Sequence, residues 1–111
     1  MKAILNAVLQ MSTFDGWVAE AENRNIGKIF GYRNVEGTIG NEQDLHMQDD
    51  SQRLYSTLEE MVALYYKTNK RGVADLSSPW IDMMIDCLAA GAEFNTYRML
   101  DQYKHDVWKI L

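Results

Sequence analysis

The chain has 111 residues, 47% of them apolar, and a formal net charge of −5 at neutral pH. That length fits one domain with a core and leaves little room for two, and the apolar content excludes intrinsic disorder. No apolar run approaches the roughly 20 residues that span a bilayer, and Met1–Gln10 lacks the long apolar core and cleavage site of a secretory signal, so no membrane contact and a cytoplasmic location are expected.

Ala3, Ile4, Ala7, Val8 and Met11 recur at helical spacing, as do Phe14, Trp17, Val18 and Ala21. They predict helix over 2–11 and 13–22, although Gly16 weakens the second. Gly27, Gly31, Gly37 and Gly40 argue against a long helix in the next stretch, where Ile26, Lys28, Phe30 and Tyr32 alternate as on a strand. A β-hairpin is expected over 27–39. Asn41–Asp50 is polar and acidic and reads as an exposed loop.

Leu54, Leu58, Met61, Val62 and Tyr65 then line one helical face, with Asp50 or Ser51 as a cap and Lys67, Lys70 and Arg71 at the far end. Gly72 fits the terminating position. Ser78-Pro79 is the plainest start signal: a capping serine, a proline in the first helical position and Asp82 in the first turn. Trp80, Ile81, Met84, Ile85 and Leu88 supply the apolar stripe, and Gly91 reads as the end. The last helix places Phe94, Tyr97, Leu100, Val107 and Leu111 on one face. Leu58, Ile81, Ile85, Leu88 and Leu100 are the expected core. Together the elements predict an α+β, helix-dominated fold. Three C-terminal helices, over about 51–70, 79–90 and 94–110, pack with an N-terminal helical segment and a small β-hairpin in one compact domain, 1–111.

The glycines around Gly27–Gly31 and Gly37–Gly40 lack the spacing and downstream lysine of a phosphate loop. Cys87 is the sole cysteine, so an intrachain disulfide and a Cys-based zinc site are excluded, and its apolar neighbours suggest an inert buried thiol. His46 and His105 accompany no nucleophile motif. Asp101 and His105 lie one helical turn apart, as do Asp82 and Asp86. Four such groups could hold Mg²⁺ or Mn²⁺ if the two faces met. The stripe on the Ser78-Pro79 helix turns Asp82 and Asp86 outward instead, so no metal, no cofactor and no catalytic residue is assigned. The aromatics Trp80, Phe94, Tyr97, Tyr103 and Trp108 read as core.

Between Asn41 and Glu60 six carboxylates face Arg53 alone, which accounts for the whole net charge. That sign disfavours direct nucleic-acid binding. It suits a non-enzymatic inhibitor, of the immunity-protein, antitoxin or phage-inhibitor kind, that docks a basic surface on a partner protein. The expected contact residues are Glu42, Asp44, Asp49, Asp50, Glu59 and Tyr66. The alternatives are a small metal-dependent hydrolase or nuclease using Asp82, Asp86, Asp101 and His105, and a homo-oligomer subunit whose exposed apolar residues meet a second copy.

Overall fold

The computed structural model describes residues 1–31, 42–70 and 73–110. The fold is α+β and helix-dominated, but its N-terminal region is not the helical segment expected. Ile4–Asn6 makes one 3-10 turn, which Ala7 ends in the left-handed conformation (φ 56°). The chain extends into strand β1 (Gln10–Thr13), passes through the short helix α1 (Gly16–Glu20) and returns as strand β2 (Gly27–Phe30). The strands pair in parallel, Gln10 opposite Gly27 and Thr13 opposite Phe30.

Helical spacing over so short an apolar run cannot decide between helix and strand. Gly27 favours the strand pairing. Its φ is +148°, and a Cβ there would lie 1.9 Å from the Gln10 carbonyl oxygen. Across this bare position the strands approach closely enough for Gln10 N–H to donate to Ile26 O at 2.8 Å. The expected helix over 13–22 contracts to Gly16–Glu20, where the Asp15 carboxylate accepts from Gly16 N–H at 2.7 Å. The hairpin expected over 27–39 is corrected for its first strand, which pairs with β1 instead; residues 32–39 lie outside those described.

Helix α2 spans Glu42–Thr68 and so begins well before residue 51. The acidic stretch expected to be a loop is helical. No glycine or proline interrupts it, and Glu42 and Asp44 fall in the first turn, where the helix dipole favours carboxylates. Beyond α2, β3 (Asn69–Lys70) pairs antiparallel with β4 (Val73–Ala74). The Gly72 stop signal lies outside the described residues.

Helix α3 (Pro79–Glu93) starts where the sequence predicts: Ser78 Oγ accepts from Ile81 N–H at 3.4 Å. It does not stop at Gly91. That glycine is buried in the last turn of the helix, and a Cβ on it would meet Leu5 Cδ2 at 2.7 Å, so it marks a close approach of the 3-10 turn. Asn95 makes the joint to α4 (Thr96–Gln102). Its Nδ2 donates to Ala92 O at 2.7 Å, and its Oδ1 accepts from Arg98 N–H at 3.0 Å. The single helix expected over 94–110 is therefore α4 followed by a π-helical turn, Tyr103–Val107, in which Trp108 N–H donates to Tyr103 O at 2.8 Å.

The core gathers Ile4, Ala21, Ile26, Cys87, Ala90 and Phe94, with Leu9 and Trp17 packed against it. Full burial of side chains such as Ile4 and Ile26 contributes about 1.5–3 kcal/mol each. This is not the expected core. Leu58, Ile85, Leu88 and Leu100 are all exposed, and Ile81 is only partly covered. On α3 the buried stripe is Met83, Cys87, Ala90 and Gly91. Two residues advance a helix by about 200°, so Ile81, Ile85 and Leu88 point away from Met83, Cys87 and Ala90. Of the predicted stripe, Ile85 and Leu88 are on the outer side, while Trp80, Ile81 and Met84 are half-buried.

The surface is correspondingly large. The chain exposes 8560 Å², against about 6,300 Å² for a folded monomer of its mass. Its radius of gyration is 17.4 Å within a 55 × 42 × 18 Å envelope; about 13 Å is usual at this length.

Candidate functional site

The acidic residues do not form one open face. Asp49 accepts from Arg53 Nε at 2.8 Å, and Glu60 lies 3.7 Å from Lys28 Nζ. Asp50 turns inward beside Gly31, where a Cβ would meet its Oδ1 at 2.9 Å; that oxygen is buried with no hydrogen-bond partner among the described residues. Glu59 is exposed. Glu42 and Asp44 sit on the first turn of α2, with side chains outside those described. Tyr66 is 68% exposed and meets Tyr65 edge-on, with ring centroids 5.5 Å apart. Both tyrosines are exposed, and Tyr65 also packs edge-on against Trp80 at 5.2 Å.

The two helical Asp pairs do not converge. His105 Nε2 is 3.4 Å from Asp101 Oδ1, with both side chains mostly in solvent. Asp82 is exposed, whereas Asp86 is not turned outward as expected: Asn25 Nδ2 donates to its Oδ2 at 3.0 Å. Among the described residues no group of three or more His, Cys, Asp or Glu surrounds a common point. Cys87 is fully buried, with Sγ 3.4 Å from Ile26 O and 3.6 Å from Val8 O. Burial pushes its thiol pKa up, and the neighbouring Asp86 carboxylate adds to the shift. A thiol held protonated between two carbonyl acceptors is a poor nucleophile.

A polar clamp, not visible in the sequence, ties the loop before β2 to α3 and α4. Glu93 accepts from Arg24 and, at 3.3 Å, from Arg98 Nη1, while the Arg98 guanidinium stands 5.2 Å over the Phe94 ring. These groups are about half exposed, so each ion pair adds at most about 1 kcal/mol. The clamp sets geometry and occupies the charges that could otherwise meet a ligand.

What the fold leaves unpartnered is apolar. Ile85 is 58% and Leu88 51% exposed on the outer side of α3. On α2 only Met61 of the predicted stripe is buried, and Leu58, Val62 and Tyr65 stay open. α4 and the π-helical turn bury no residue at all. Tyr97 is 89% exposed, and Tyr103 and Trp108 pack on each other rather than in the core. Of the five aromatics read as core, Phe94 is buried, against Trp17 at 5.6 Å, and Trp80 half-buried. A signal for the second face was present in the sequence: α3 carries apolar residues at 83, 87 and 90 as well as at 81, 85 and 88, an arc wider than one stripe facing a single core. Among the described residues no helix is long and apolar enough to cross a membrane.

No protein-family model matches the chain, and no solved structure does. Curated relatives do match. The glycogen phosphorylase of Aquifex aeolicus (strain VF5) is 36% identical over 105 residues, covering 93% of this chain and 14% of that protein. The maltodextrin phosphorylase of Thermococcus litoralis is 35% identical over 105 residues, covering 93% of this chain and 11% of that protein. The chain thus spans about one seventh and one ninth of the relatives it matches. These similarities overturn the expectation of an acidic inhibitor docking a basic partner, and with it the alternatives of a small metal-dependent hydrolase or nuclease and of an oligomer subunit. Almost the whole chain resembles one segment of a much larger enzyme, and the acidic segment that suggested an inhibitor is largely a helix with Asp49 and Glu60 paired.

Proposed function

We propose that this chain is the counterpart of one segment of a phosphorylase acting on glycogen or maltodextrin. Its contribution is structural: it supplies a layer of the enzyme, and phosphorolysis is carried out by the assembled protein. The observation that carries this reading is the match over 93% of the chain to a small fraction of each relative. The physical state of the chain supports it. A surface roughly a third larger than its mass warrants, a helix apolar on two sides and a C-terminal helical segment that buries nothing are what an excised layer presents. The charged groups at the loop, α3 and α4 junction are spent on one another, consistent with a scaffold.

The test is complementation in trans. The Aquifex aeolicus enzyme is produced without its matched segment and mixed with the 111-residue chain, the enzyme's own segment serving as the standard. Consumption of inorganic phosphate in the presence of glycogen is then measured. The reading expects phosphate consumption to return with this chain as it does with the standard. Return with the standard and none with this chain would refute the equivalence.

A further inference from the structure

We draw no further inference here: the strongest candidate, the apolar surface patch that Ile85 and Leu88 form on the outer side of α3, belongs to the reading already proposed, and nothing in the structure shows what covers it.

Discussion

Replacing Gly27 by alanine should break the junction of β1 and β2, and the cost can be worked from the geometry. The new Cβ would lie 1.9 Å from Gln10 O, 2.7 Å from Gln10 N and 2.8 Å from Gln10 C, all backbone atoms that cannot rotate away. Relief to an ordinary contact needs a displacement of over 1 Å, on the order of the whole tolerance of a hydrogen bond. The 2.8 Å bond from Gln10 N–H to Ile26 O and its neighbour in the ladder are then lost, at about 0.5–1.5 kcal/mol each. The positive φ of 148° adds about 1–3 kcal/mol of strain for any side chain. The expected loss is about 2–6 kcal/mol in urea denaturation followed by circular dichroism, with accelerated amide exchange at Gln10. Gly16→Ala is the control: φ is +51°, but nothing lies within 4 Å of its Cβ, so only about 1 kcal/mol is expected. Equal losses for the two substitutions would refute the claim that close strand approach, rather than backbone conformation alone, requires Gly27.

Three further outcomes follow. Met83→Ala should cost about 2–5 kcal/mol in the same assay because Met83 is buried, whereas Ile85→Ala on the outer side of α3 should stay within about 0.5 kcal/mol; a larger loss at Ile85 would contradict the register. Ser78→Ala should cost about 0.5–2 kcal/mol through loss of the cap on Ile81 N–H, and an unchanged urea midpoint would remove that cap from the account. The Cys87 thiol has a raised pKa in the fold, so the unfolded chain loses this proton at lower pH than the folded one. Its contribution is therefore complete below the ordinary thiol range near about pH 8.5 and declines as pH rises above it. Cys87→Ala should flatten the alkaline fall in stability, and identical alkaline slopes would contradict the shift.

The parts of the fold legible in the sequence were those signalled by local chemistry. Ser78-Pro79 announced α3 because a cap and a first-turn proline act within four residues. The burial of Cys87 was legible from its neighbours. The register of α3 was not, because periodicity reports that a stripe exists and not which of two stripes faces the chain's own core. Of the stripe Trp80, Ile81, Met84, Ile85 and Leu88, this chain half-buries the first three and leaves Ile85 and Leu88 exposed. The parallel pair was hidden for a different reason: it joins Gln10 to Gly27 across α1, and its requirement is a bare α-carbon at Gly27, which the sequence shows only as one glycine among seven. Of the candidate site, charge was legible but pairing was not. Nothing local tells that Asp49 meets Arg53, that Asp50 turns toward Gly31 or that Asp86 is held by Asn25 from sixty-one residues away.

The proposed role as one layer of a phosphorylase-like assembly requires the outer side of α3, with Ile85 and Leu88, to be covered by the rest of the enzyme. It is tested most directly by calorimetric titration of the 111-residue chain into the Aquifex aeolicus glycogen phosphorylase lacking its matched segment. Saturable one-to-one binding with a negative heat-capacity change is predicted, as burial of apolar surface requires, and Ile85→Asp with Leu88→Asp should abolish it while leaving the free chain folded. Binding that survives the double substitution unchanged would contradict the claim.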